Sequence, residues 1–156
     1  MIDKGLLTYE NTSSLLKTQT LAPVEWRKGL VRTGLIARKI GHYPLWLKNG
    51  KRIDTTALQI ADNHVVKYIP PDSFSPTTRK HLKTYRGLGC LLVGSESIDP
   101  NLLTAGYMGL FKGSGVMPKK NLSRFIISPQ AAILPGTQLN ATHFKVGEYV
   151  DVRGKT

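Results

Sequence analysis

Gly34-Leu35-Ile36-Ala37-Arg38-Lys39-Ile40-Gly41, then an aromatic run through Tyr43 and Trp46, then Asn49-Gly50 and Lys51-Arg52-Ile53, is the stretch that decides the fold. Between residues 34 and 69, strand-like runs follow one another with tight turns. Each carries Lys or Arg among its apolar residues. Alternation of that kind suits a β-barrel that packs one side inward and lays the other on phosphate. Residues 30–40 read as the first strand, with Gly34 permitting a bend or a close approach. Residues 45–48 and 51–60 flank Asn49-Gly50, a strong hairpin signal. In the second of these runs Thr56, Leu58 and Ile60 share a face. Ala61-Asp62-Asn63 reads as a further turn, and residues 64–69 as a third strand.

Outward from that stretch the signals change. Residues 1–29 are a nearly charge-balanced lead-in, either an arm with a short helix near 13–18 or a mobile tail. Pro70-Pro71 ends the strand run, and residues 71–86 are polar and basic, as in a long surface loop. Residues 88–94 suit a short buried strand carrying Cys90. Asp99-Pro100 is a helix start: Asp99 can cap free amides and Pro100 fits the first helical position. Leu103, Tyr107, Leu110 and Phe111 then form a helical stripe, which Gly113-Ser114-Gly115 and Pro118 stop. Residues 122–127 and 147–152 read as strands, with a turn at Pro135-Gly136. The expected fold is mainly β with an α+β insertion. It divides into an arm (1–29), the first part of a barrel with a loop near 70–87 (30–97), the insertion (98–128) and a return strand (129–156).

Charge restricts the partners. The 156 residues hold 22 Lys and Arg against 10 acidic residues, a net charge of +12. Such a surplus attracts polyanions, with nucleic acid ahead of an anionic membrane surface. No apolar run approaches the ~20 residues of a membrane-crossing helix, and the cations are not stacked on one helix face. Cys90 stands alone, which removes intramolecular disulfides and argues for a reducing compartment. The first thirty residues lack the apolar core of a secretory signal. They also lack the acid-poor character of a transit peptide.

Catalytic patterns fail in turn. Gly154-Lys155-Thr156 resembles the end of a phosphate loop, but Tyr149 occupies the position of the required earlier glycine. Gly109, Gly113 and Gly115 end a helix rather than open one after a strand. His42, His64, His81 and His143 have no metal-ligand spacing, although His42 is a candidate RNA contact. No nucleophile elbow or paired-carboxylate pattern is present, and Asp54 and Asp62 suit strand-end and turn roles. The expectation is therefore no catalytic residue, metal, cofactor or small-molecule substrate.

The cations carry the chemistry that is present. Arg32, Arg38 and Lys39 lie in or beside the first strand, and Lys48, Lys51 and Arg52 surround the hairpin tip. Lys112, Lys119 and Lys120 flank the Gly113-Ser114-Gly115 stop, with Arg124 on the next strand. Lys145, Arg153 and Lys155 lie toward the end. Arg can fork across phosphate oxygens while Lys supplies a point charge. For Trp46 packing in the core is the favoured reading, and stacking of Tyr43 and Trp46 on unpaired bases is the alternative.

In order along the chain, several segments resemble the universal L-three family of large-subunit ribosomal proteins. They are Gly34-Leu35-Ile36-Ala37-Arg38-Lys39-Ile40-Gly41, Lys48-Asn49-Gly50-Lys51-Arg52-Ile53 with Thr56-Ala57-Leu58-Gln59-Ile60, Gly109-Leu110-Phe111-Lys112 through Lys120 to Phe125, and Pro135-Gly136-Thr137 through His143-Phe144-Lys145 to Val152. Pro44-Leu45-Trp46 points to the family's mitochondrial form. The resemblance implies a translation-factor-like β-barrel with an inserted α+β element. It also implies a structural and assembly role in the mitochondrial large ribosomal subunit, against large-subunit ribosomal RNA and neighbouring ribosomal proteins. The family continues with a glycine- and lysine-rich segment and a long basic loop toward the peptidyl-transferase centre. This chain stops short of them, so an incomplete barrel lacking closing strands is expected. The competing reading is a free-standing module that binds mRNA or tRNA.

Overall fold

The computed structural model describes residues 27–74 and 87–154. Most of the expected arm (1–29), most of the expected 71–86 loop and Lys155 lie outside these residues. The described chain is mainly β and forms two antiparallel sheets. Neither sheet closes into a barrel among the described residues.

The first sheet is a two-stranded ribbon of β1 (Ala37–Trp46) and β2 (Arg52–Ile60). The expected run at 30–40 enters the ladder only at Ala37. Before that point its hydrogen bonds go elsewhere. Val31 N donates to Ser128 Oγ at 3.0 Å, and Val31 O accepts from Ser128 N at 2.9 Å. β1 then runs unbroken through Pro44, across the gap between the expected runs at 30–40 and 45–48. Among the described residues each strand of this ribbon has an open edge, where a missing amide leaves no ladder bond unmade. A bulge falls between Lys39 and Gly41. The tip is a three-residue loop closed by Leu47 and Lys51, with Leu47 N donating to Lys51 O at 2.9 Å. Gly50 takes φ +80°, the left-handed position that this loop type reserves for glycine.

The second sheet has the order β5-β4-β3-β6, with β3 (Asn63–Ile69), β4 (Gly89–Ser97), β5 (Lys119–Ile127) and β6 (Gln138–Leu139). Val65, Leu91, Val93, Ile127 and Leu139 form its buried cluster, backed by Leu35, Tyr68, Phe125, Ala132 and Ile133. Burying a side chain of that size contributes about 1.5–3 kcal/mol. Gly34 makes the close approach anticipated for it. A Cβ there would lie 2.6 Å from Phe125 Cε1.

The segment read as a turn at Ala61-Asp62-Asn63 is instead a corner between the sheets, since β2 and β3 are not paired with each other. Asp62 sits there at φ +46°, a conformation Asp tolerates because its short polar side chain bonds locally. Asn63 is fully buried and behaves as an extra peptide unit. Its Oδ1 accepts from Ile36 N at 3.1 Å, and its Nδ2 donates to Ile36 O at 3.0 Å. One side chain thus ties the entry of β1 to the start of β3.

Two further expectations are corrected. The stretch from Asp99 is not one helix. It is a 3-10 turn (Pro100–Leu102), then a single α-turn, α1 (Ala105–Met108). Asp99 does cap, accepting from Asn101 N at 2.9 Å, but Leu103 and Thr104 are extended, and Gly106 and Gly109 weaken propagation. Of the anticipated stripe only Phe111 is buried. Its ring meets Tyr107 edge-on at 5.4 Å, and Tyr107 OH donates to Lys119 O at 2.6 Å. Residues 147–152 form no strand. They have no partner in a ladder among the described residues, and Tyr149 is fully exposed. Apolar alternation alone does not make a strand without a neighbour to accept its hydrogen bonds.

Candidate nucleic-acid interface

The fold sorts the expected cations into three environments. The first is burial, and it removes Lys119. Its side chain is 1% exposed. The ammonium donates to Asp62 Oδ2 at 2.6 Å, Asp62 O at 3.1 Å and Ser97 Oγ at 2.9 Å. Ser97 also donates to the Asp62 carboxylate. All three protons of the charged group are committed within the protein, so Lys119 is corrected from an RNA contact to a structural anchor. A sequence shows only a lysine beside a lysine here. The pairing depends on the corner that brings Asp62 beside β5. Burial pushes the Asp62 carboxyl up, but hydrogen bonds from Lys119 and Ser97, with the Lys119 charge, outweigh it and hold the group below its usual range. His64, with Nδ1 3.2 Å from Asp62 Oδ1, is pushed down by burial and then by the Lys119 charge.

The second environment is cations held by surface carboxylates. Arg32 pairs with Glu148, donates to His143 O at 3.4 Å and lies 5.6 Å from the centre of the Phe144 ring. Lys145 N donates to Glu148, and that bond, ahead of the one from Arg32, lowers the Glu148 carboxyl. Arg38 and Lys120 share Glu96, at 2.7 and 4.0 Å. Together they line a shallow cleft of about 250 Å³ with Ile36, Gln59 and Asn121. The structure therefore brings together two cations that are 82 positions apart. Arg52 pairs with Asp54 at 3.2 Å, both well exposed, and a pair so wet is worth little.

The third environment is solvent. Lys39, Lys48, Lys51, Lys112, Arg124, Lys145 and Arg153 are exposed, with no ion-pair partner among the described residues. Lys48 and Lys51 flank the ribbon tip, while Arg124 stands on β5. Register adds a residue that the sequence reading passed over. Lys67 and Arg124 both pair with Leu92, so the two cations occupy one row across β3, β4 and β5. At ~4.8 Å per strand they are about 10 Å apart. Lys67 was legible only as a polar residue in an apolar run; its alignment with Arg124 needed the sheet.

The aromatic residues of the ribbon also change role. Trp46 is 66% exposed, and Tyr43 and Leu45 are exposed as well, so the favoured core reading of Trp46 does not hold among the described residues. Cys90 is buried and its thiol is pushed up by that burial, which suits packing rather than reactivity. Among the described residues no group of three or more His, Cys, Asp or Glu is placed to hold a metal ion. No helix there is long and apolar enough to cross a membrane.

Comparison with known proteins supplies the context for these cations. Over 125 residues, 80% of this chain, the sequence is 37% identical to the large ribosomal subunit protein uL3m of Arabidopsis thaliana. The chain is related to the mitochondrial L-three ribosomal proteins. It spans about a third of the length of that relative, of which the match covers 35%. No family model matches the chain.

Proposed function

We propose that this chain is a non-enzymatic constituent of the mitochondrial large ribosomal subunit, where it binds large-subunit ribosomal RNA and supports its assembly. The relationship to uL3m carries this reading. The exposed Lys and Arg on the ribbon, its tip and β5 support it. Seven of the expected cations have no ion-pair partner among the described residues, and they would each release counterions on meeting phosphate. In this reading Arg38, Lys39, Lys48, Lys51, Arg52, Lys112, Lys120, Arg124, Lys145, Arg153 and Lys155 contact RNA backbone. Arg32 contacts RNA as well, from the exposed surface where it pairs with Glu148. Neighbouring subunit proteins cover part of the remaining surface.

The barrel belongs to the same proposal. One ribbon face presents Tyr43, Leu45 and Ile53, all exposed. Such a face calls for a further β segment packed against it, and the open ribbon edges suit strand addition. The division into arm, first barrel part, insertion at 98–128 and return at 129–156 follows from that architecture.

The test is fractionation of mitochondria carrying the tagged chain on a density gradient. The expected result is co-sedimentation with the large subunit that persists at moderate salt. Recovery only in the light fractions, on mRNA or tRNA, would replace this reading with the free-standing module.

A further inference from the structure

The β1–β2 ribbon has two faces of different chemistry, and the register assigns every residue to one of them. Gly41, Tyr43 and Leu45 oppose Ala57, Thr55 and Ile53. That face holds no charge over this span, and a Cβ built on Gly41 would touch the Tyr43 ring at 3.4 Å, so the ring lies along its own face. On the other face His42, Pro44 and Trp46 oppose Thr56, Asp54 and Arg52. The bulge after Lys39 brings Lys39, paired with Leu58, onto this second face. His42 Nδ1 and Thr56 Oγ1 meet at 2.9 Å across it. Trp46 stands at its outer end, 66% exposed, opposite Arg52 and one turn from Lys48 and Lys51.

We propose that this second face binds an unpaired stretch of RNA, with Trp46 as the base-stacking platform and Arg52, Lys48, Lys51 and Lys39 on the flanking phosphates. The proposal rests on the RNA-binding reading above and makes its ligand specific. Lys39 and Arg52 share this face with one carboxylate, Asp54, and Lys48 and Lys51 add their charge at the adjoining tip, so this end of the ribbon is complementary to a polyanion. Arg52 is held to Asp54 only by a wet, exposed pair that a phosphate can displace. A protruding indole has nothing to stack on along a closed RNA duplex, whose bases are already stacked and whose major groove is too deep for side chains. A splayed base offers a π-face, and an arginine beside the ring adds a cation for the backbone. An apolar protein partner would find its match on the opposite face instead, where Tyr43, Leu45 and Ile53 are exposed.

The test uses the full chain with Trp26 changed to Phe, which leaves Trp46 as the sole tryptophan. Binding is followed by fluorescence anisotropy of a labelled 12-nucleotide single strand, a hairpin with a wide apical loop and a fully paired duplex. Trp46 emission is read in parallel. The expected result is quenching of Trp46 by the single strand and the loop. W46A should weaken both about 5- to 150-fold, the range expected for loss of one base–aromatic stack. W46F should retain most of the affinity, and duplex binding should be unchanged. Circular dichroism checks that each variant stays folded. RNA binding without quenching, or an equal effect of W46A on all three RNAs, overturns this inference while leaving the RNA-binding reading intact. A blue shift of Trp46 emission that grows with protein concentration in the absence of RNA also overturns it, since a second copy then covers the face. No binding to any of the three RNAs overturns both readings.

Discussion

Changing Asp62 to Asn isolates the charge that Lys119 needs. Asn keeps the shape and tolerates the φ of +46° at this corner, so the backbone is not at issue. The Lys119 ammonium is 1% exposed and would retain Asp62 O, Ser97 Oγ and the new amide oxygen as acceptors, but no counter-charge. Stranding a buried charge costs about 3–5 kcal/mol; with the neutral acceptors still in place, D62N should cost about 2–3 kcal/mol. The converse change is milder. K119M removes the ammonium while its stem still fills the space over Gly94. It leaves a carboxylate whose side chain is 41% exposed and reached by water. That change should cost about 1 kcal/mol or less, as for a solvated pair. The double variant should fall near K119M alone, because the stranded charge is gone and the two changes are coupled. Urea unfolding followed by far-UV circular dichroism reads all three, as a shift of midpoint at constant slope. For a chain of this length D62N should lower Tm by roughly 5–10 °C. If K119M proved as costly as D62N, or if the two effects added, the asymmetry of burial would not control this pair and the reasoning would fail.

Other outcomes follow from neighbouring geometry. Burial and the Lys119 charge depress the folded-state pKa of His64, so its contribution to stability is present above about pH 6.5. That contribution is lost as pH falls through the folded value. K119M removes one depressing cause, so the His64 ring resonances should titrate at higher pH than in the parent; an unmoved midpoint would contradict this. At Gly94 a Cβ would lie 2.6 Å from Lys119 Cγ and 2.8 Å from its Cβ. G94A should therefore destabilise by about 1–3 kcal/mol, and a neutral result in urea would show that the stem can move aside. K48A/K51A should reduce the slope of log K against log salt for RNA binding by about 1.4–1.8. An unchanged slope would remove the ribbon tip from the interface.

The strand-rich character, the hairpin at Asn49-Gly50 and the cap at Asp99 were legible because each rests on local backbone preference. Gly50 and Asp99 satisfy turn and cap requirements that their immediate neighbours impose. The exposed cations at the tip were legible for a similar reason, since a turn carries its own residues to solvent. The 98–112 segment and residues 147–152 misled because a periodic stripe needs a surface to cover and a strand needs a ladder. In the first case glycines and extended residues broke the propagation; in the second no neighbouring strand is present among the described residues.

From the sequence alone came the excess of positive charge: a surplus of Lys and Arg is a property of composition and survives any folding. Which cations stay at the surface was decided by the tertiary structure. Lys119 and Lys120 are adjacent, yet one is sealed against Asp62 and Ser97 while the other reaches the surface beside Glu96. The physical cause is the corner at Asp62. It sets a carboxylate from between the two sheets against the start of β5, a contact 57 positions apart in the chain that no local pattern encodes.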